Sequence, residues 1–311
     1  MVQQLAGAGD PGETESPKAG RGVRYLRDEP APSAQRMVLG HALRKRRKSL
    51  NLKQGEVARF IGGSASKVSR IENGRHQFKD RDLYALFQLY GINGPTEQEL
   101  LLGLAAGANE AAWWQPWSWA TPKFLQAVVS FEEMAQRIRS YEPLHIHGLL
   151  QTPAYAQAVI NRGTGTFQEL EARTQLRRER KARFADAPAG KTGMFIIDEV
   201  TLRRPVGSTE VMCGQLEHLL ELSTDPRYQF RLAELGRCDL PVDLGPTTIF
   251  DFAGMLPTLV YAEGFDGGLI IEDDEAVDQR VKAFDALLFA SMAPRQTRRR
   301  ISDLLTRHYR R

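Results

Sequence analysis

The sequence predicts an α+β protein, with an all-α region of five short helices over residues 35–110 and an α+β region over residues 111–311. Three observations support this division. From Met37 to about residue 108, apolar residues recur at helical spacing. All four tryptophans then fall between Trp113 and Trp119, where this pattern stops. Beyond them, helical segments are interspersed with short strand-like runs. The 311 residues also suffice for two domains.

Residues 1–34 precede the first helical pattern. They are rich in glycine, proline, alanine and polar residues, so the sequence predicts a disordered arm. The start of the chain has no basic segment followed by an apolar stretch, and no apolar run reaches the roughly 18 residues of a membrane span. We therefore expect a cytoplasmic protein without a membrane partner.

Turn and cap signals divide the N-terminal region into five helices. Gly62 and Gly63 predict a tight turn, Ser64 can cap the third helix, and Asn73 with Gly74 can end it. The expected helices run from Met37 to about Leu50, from Gln54 to Ile61, from Ser64 to about Glu72, from Asp80 or Asp82 to Gly91, and onward from a capping box of Thr96 and Glu99.

The second region combines helix and strand patterns. The expected helices are Phe124–Ser140, Pro153–Ile160, Phe167–Phe184, about Ala276–Ser291 and Arg295–His308. The expected strands are Met194–Ile197, Tyr228–Ala233, Thr247–Phe252, Thr258–Glu263 and Gly268–Glu272.

Positive charge is concentrated in one segment. Residues 36–79 contain twelve Lys or Arg against Glu56 and Glu72, whereas the whole chain carries only +4. Such a local basic patch indicates a polyanionic partner. Cys213 and Cys238 lack the paired spacing of a zinc site, so no metal is expected. The sequence also has no glycine-rich phosphate loop, and no other cofactor is expected.

The run LRKRRKSLNLKQGEVARFIGGSASKVSRIENG resembles the xenobiotic-response-element type of helix-turn-helix regulators, related to lambda repressor and Cro. The resemblance covers about residues 37–95 and implies a sequence-specific regulator that binds double-stranded DNA. The positions that match are Arg47, Leu52, Gln54, Glu56, Ala58, Gly62, Ser64, Ser66, Val68, Ser69, Ile71 and Glu72. Lys53 departs from the family's capping threonine, so the second helix is expected to be weakly capped.

The third helix is the expected recognition helix. Val68 and Ile71 can face inward, which leaves Ser66, Lys67, Ser69 and Arg70 to contact bases. Arg70 is the strongest candidate because a guanidinium can bond guanine O6 and N7 together. The resemblance implies phosphate contacts from Gln54, Ser64 and Asn73, to which we add Arg75, and an internal salt bridge between Arg47 and Glu72.

Residues 113–305 resemble a domain of unknown function that follows this helix-turn-helix in many actinobacterial regulators. The runs that carry the likeness are EPLHIHGLLQTPAYAQAVI, EARTQLRRERKARF and FIIDEVTLRRPVG. The resemblance implies a partner-binding domain without catalytic activity, whose partner is a small co-encoded protein. A small-molecule effector is the alternative that the sequence leaves open. Because one helix-turn-helix contacts few base pairs, we also expect a homodimer on a palindromic operator.

Several features have alternative interpretations. His145 and His147 are more readily surface or core histidines than metal ligands, and the acidic run Glu272–Glu275 precedes a helix that it can cap. The arginine-rich helix is a solvated face, a second phosphate contact or a site for an acidic partner. The tryptophans either pack at the junction or form an exposed platform. A DNA-binding member of a toxin-antitoxin-like pair is the alternative function.

Overall fold

The computed structural model describes residues 23–26, 33–264 and 267–310. Most of the predicted disordered arm, residues 1–34, lies outside these ranges. For Val23–Leu26 the expectation of disorder is wrong, since these residues form strand β1 and pair antiparallel with residues 268–271. An edge strand can supply backbone hydrogen bonds that the local composition does not reveal.

Five helices form the helical region, which we define as Ala34–Gly107. They are α1 (Ala34–Ser49), α2 (Gln54–Phe60), α3 (Ala65–Glu72), α4 (Asp80–Tyr90) and α5 (Pro95–Gly107). Their shared core includes Leu39, Leu43, Val57, Val68, Ile71, Leu83 and Phe87. The predicted all-α arrangement is thus confirmed.

The mixed-sheet region, which we define as residues 123–310, combines seven helices with most of one sheet. The helices are α6 (Lys123–Met134), α7 (Pro153–Ile160), α8 (Phe167–Ala185), α9 (Glu199–Arg203), α10 (Thr209–Leu222), α11 (Asp274–Ala290) and α12 (Pro294–Leu304). The strands are β2 (Arg137–Glu142), β3 (Thr192–Asp198), β4 (Tyr228–Ala233), β5 (Thr247–Asp251), β6 (Leu259–Gly264) and β7 (Gly267–Ile271). One short 3₁₀ turn, Gln115–Ala120, precedes this region, and two others lie within it at Gly148–Leu150 and Val242–Leu244. The chain passes into a π turn at Leu305–Tyr309.

The seven strands follow the order β1-β7-β6-β5-β2-β3-β4. Strands β2, β3 and β4 are parallel, whereas all other pairs are antiparallel. One face of the sheet packs against a core that includes Phe131 of α6, Tyr155 of α7 and Leu216 of α10. The other face packs against α11 through Phe284 and Leu287. The predicted α+β class is therefore confirmed.

Two local expectations were wrong, and two helices were not predicted. The helix predicted over Phe124–Ser140 ends at Met134, and the chain then forms β2, which lies between β3 and β5 in the sheet. Because four of its six residues are buried, β2 lacks the alternation that marks an edge strand. The fifth helix begins at Pro95 rather than after Thr96, since proline suits the first helical position. The helices α9 and α10 were not predicted.

Helix α1 belongs to both regions. Its residues Leu39 and Leu43 lie in the helical core, whereas Met37 and Val38 lie in the core under the sheet. Two ion pairs add to this contact: Arg44 Nη2 lies 2.5 Å from Glu272 Oε2, and Lys45 Nζ lies 2.8 Å from Asp274 Oδ1. The helical region therefore packs against the mixed-sheet region through its first helix, α1.

Candidate nucleic-acid interface

Helix α3 presents a small, polar outer face. Val68 and Ile71 are buried in the helical core, whereas Ala65, Ser66 and Arg70 are exposed. The Ser64 hydroxyl oxygen accepts a hydrogen bond from the Lys67 backbone amide at 3.1 Å and so caps the helix. An exposed face with few bulky side chains lets a helix backbone approach another surface closely.

A buried polar network holds α3 against α1 and α2. The Arg47 guanidinium donates to both Glu72 carboxylate oxygens, at 2.5 and 3.0 Å, and this hydrogen bonding raises the pKa of Arg47. Gln54 Nε2 donates to Glu72 Oε2 at 2.9 Å, and Arg47 Nη1 donates to the Leu52 carbonyl at 2.6 Å. The Arg47 guanidinium therefore makes its hydrogen bonds within the protein. A bidentate guanidinium–carboxylate pair also fixes orientation, so α3 is set rigidly on its neighbours.

Two further side chains, one on α3 and one at its C-terminal end, form bonds within the protein. Lys67 is half-buried, and its Nζ lies 2.7 Å from Asp82 Oδ2 of α4. Asn73 Nδ2 donates to the Ser69 carbonyl at 2.8 Å and lies 3.4 Å from the Ser69 hydroxyl. The sequence predicted the end of α3 at Asn73 but did not reveal the bond between Lys67 and Asp82.

Two glycines permit this geometry. A Cβ atom on Gly40 of α1 would lie 2.6 Å from the Ile71 carbonyl oxygen, so only glycine lets the two helices approach this closely. Gly62 has a φ of +64° and turns the chain between α2 and α3 without strain.

The N-terminus of α2 is capped in an unusual way. Lys53 provides no side-chain cap for α2, but the Glu56 carboxylate accepts from the Lys53 backbone amide at 2.6 Å.

Exposed basic side chains surround α3. They are Lys53, Arg59, Arg70, Arg75, Lys79 and Arg81, and none of them forms an ion pair with a carboxylate in the described part of the chain. Burial, followed by the positive charges of Arg70 and Lys67, lowers the pKa of His76 beside this surface. The resulting positive field suits a polyanion.

Comparison with known families matches both regions. A family model described as a helix-turn-helix domain matches residues 38–101. A second model, described as a domain of unknown function (DUF5753), matches residues 125–303, which is more than half of the chain. The chain belongs to the DUF5753 family. No curated protein and no solved structure matches this DUF5753 protein. The helix-turn-helix match supports a DNA-binding regulator.

In the mixed-sheet region, His147 and the acidic run make contacts within the fold. Burial lowers the pKa of His147 to about 4, and its Nδ1 accepts from the Leu149 amide at 3.3 Å. Asp273 caps α11 by accepting from the Ala276 amide at 3.1 Å.

Among the described residues, no group of three or more His, Cys, Asp or Glu side chains is arranged to hold a metal ion. Within the same residues, no helix is long and apolar enough to cross a membrane.

Three of the four tryptophans pack against the mixed-sheet region. The indole N–H of Trp114 donates to Ser130 Oγ at 2.7 Å, and that of Trp117 donates to Gln175 Oε1 at 3.1 Å. The Arg183 guanidinium lies 4.4 Å from the centre of the Trp113 ring. Trp119 remains 61% exposed. Packing therefore accounts for three of the four rings.

Proposed function

We propose that this protein is a sequence-specific transcriptional regulator that inserts α3 into the major groove of DNA. The observation that supports this proposal best is the exposed Arg70, which has no ion-pair partner among the described residues. It lies on a helix whose buried side is fixed by the Arg47–Glu72–Gln54 network. A rigid helix with an outward guanidinium suits direct base reading. Because the proposed ligand is DNA, we also expect the protein to be cytoplasmic.

Base contacts are proposed for four residues of α3. Arg70 and Ser66 are exposed and can reach a groove without breaking another bond. Lys67 and Ser69 belong to the same proposed set, but both lie half-buried, beside Asp82 and Asn73 respectively. Since both side chains are half-buried and Lys67 is already paired with Asp82, we expect smaller contributions from these two residues.

Phosphate contacts are proposed for Gln54, Ser64, Asn73 and Arg75. Gln54 Nε2 uses one N–H on Glu72 and carries a second, while the Ser64 hydroxyl accepts from Lys67 and can still donate. Arg75 is exposed and lies just beyond the end of α3. These positions flank the recognition helix at both ends, as contacts that fix register should.

Residues 35–110 and 111–311 are proposed to act as two domains, the second without a catalytic role. The second domain would support dimerisation and bind a protein partner or an effector. We expect a homodimer on a palindromic operator whose half-sites lie about 34 Å apart, one helical turn of DNA. Light scattering on the protein alone and on its operator tests this assembly, because a monomer in both states would contradict it.

Selection from a random DNA pool tests the main proposal. We expect one motif to be enriched and to bind at least about a thousandfold more tightly than a scrambled duplex, with affinity falling steeply as salt rises. Fluorescence anisotropy of the full-length chain measures both quantities. Enrichment of no motif, or equal affinity for the motif and the scrambled duplex, would refute sequence-specific binding.

A further inference from the structure

A cavity of about 230 Å³ lies where the helical region meets the mixed-sheet region. Its walls include Leu43 and Arg46 of α1, Leu100 and Leu101 of α5, and Met255 and Leu256 from the loop between β5 and β6. Leu256 packs against the cores of both regions. The cavity is therefore lined by elements of the two regions together.

The loop from the sheet is held close to α5 at one edge of the cavity. Gly254 has a φ of +65°, and a Cβ atom added to it would lie 3.0 Å from Leu100 Cδ2. The next residue, Met255, leaves 79% of its surface exposed at the cavity wall. A long, flexible thioether at this place can repack over an apolar or aromatic guest.

Charges around the cavity are balanced. Lys45 is paired with Asp274, and Arg46 donates through Nε to the Tyr90 carbonyl at 3.1 Å. Glu97 contributes one further carboxylate to the lining. With two cations near two carboxylates and mostly aliphatic walls, an uncharged guest is favoured over an ion.

We propose that this cavity is a binding site for a neutral, mainly apolar molecule about the size of two fused aromatic rings. Such a ligand would bridge Met255 and Leu256 to α1 and α5. Arg46 of the cavity wall and Arg47, which binds Glu72 of α3, both lie on α1, so a ligand that displaces α1 would also displace the recognition helix. This regulatory consequence, unlike binding itself, rests on the proposed DNA-binding function, and linkage requires ligand and DNA to alter each other's affinity equally.

Nuclear magnetic resonance of the full-length chain, labelled at the methionine methyl groups, tests the site. Met255→Leu assigns the Met255 signal, and 2-naphthol serves as the ligand. We expect a saturable shift of that signal, with the buried Met212 signal unchanged. At neutral pH, 2-naphthoate should bind at least about tenfold more weakly, because it carries a charge into apolar surroundings.

Leu100→Trp should fill the cavity and weaken 2-naphthol binding by at least about tenfold. Leu102→Trp is the matched control: Leu102 is also half-buried on α5 but does not line the cavity, so binding should be unchanged. No saturable shift at Met255 in the wild-type protein, or equal binding of 2-naphthol and 2-naphthoate, would overturn the proposal, whatever the stability of either variant. Neither result would affect the DNA measurements, which are made without the ligand.

Discussion

Two basic segments of this protein differ in how their positive charge is used. Around α3, six exposed Lys and Arg side chains have no ion-pair partner among the described residues. On α8, by contrast, most of the basic side chains bind other parts of the protein. Arg180 donates to both oxygens of Glu132 at 2.6 and 2.9 Å, and Arg177 Nη1 donates to Gln151 Oε1 at 2.7 Å.

The remaining contacts of α8 follow the same pattern. Arg173 Nε donates to the Ala120 carbonyl at 2.7 Å, and Arg183 lies between Glu179, Glu133 and the Trp113 ring. Of the arginines on this helix, Arg178 is exposed and has no such partner in the described part of the chain. Thus similar sequence composition leaves the charged groups exposed in one segment and places them in internal contacts in the other. Charge density alone does not distinguish these uses.

The largest effect that would sharpen this comparison is expected at the buried pair of Glu132 and Arg180. Both side chains are only 6% exposed. Glu132→Ala leaves the Arg180 guanidinium buried without its carboxylate, so the free energy of unfolding should fall by about 3–5 kcal/mol. Urea unfolding measures this change. Arg178→Ala on the same helix is the control and should alter stability by less than about 0.5 kcal/mol.

If Glu132→Ala were as stable as the wild-type protein, the internal role assigned to α8 would be wrong. Similarly, a large loss of DNA affinity in Arg178→Ala with unchanged stability would show that α8 also contacts DNA.

A smaller effect is expected at His41, where α1 meets the sheet. Burial lowers the pKa of His41 to about 3, and the positive charges of Arg44, Lys45 and Lys48 act in the same direction, while Asp274 opposes them. Because the unfolded chain binds the proton more readily, stability from neutral His41 is complete above about pH 6.5 and is lost as the pH falls from there towards 3.

As the pH falls from 7 to 5, the free energy of unfolding should therefore decrease by about 2 kcal/mol because of His41. His41→Gln should show a correspondingly smaller loss over the same interval. Chemical denaturation at both pH values measures the difference, and other titrating groups such as His147 are common to the two proteins. Identical pH dependence in variant and wild type would contradict the neutral, buried state of His41.

Features governed by neighbouring residues could be predicted from the sequence. The cap at Ser64, the turn at Gly62 and the end of α3 at Asn73 each depend on residues within one or two turns. The Arg47–Glu72 ion pair was expected only through the family resemblance, since its partners lie 25 residues apart.

Features governed by tertiary contacts could not be predicted. Arg44 and Glu272 are 228 residues apart along the chain, and no local pattern pairs them. Strand β2 is buried on both faces by neighbours that are distant in sequence, so its local pattern favoured a helix. The arginines of α8 were equally ambiguous, because only the fold brings Glu132 and Gln151 beside them.

The most direct test of the central claim compares Arg70→Ala with Arg178→Ala, since both remove an exposed arginine. Fluorescence anisotropy should be measured on the selected operator and on each of its single-base variants. Arg70→Ala should lose about 1–3 kcal/mol of binding free energy and its preference at one operator position, whereas Arg178→Ala should bind as the wild type does. Equal losses in the two variants, or an Arg70→Ala protein that keeps its preference at every position, would contradict base reading by α3.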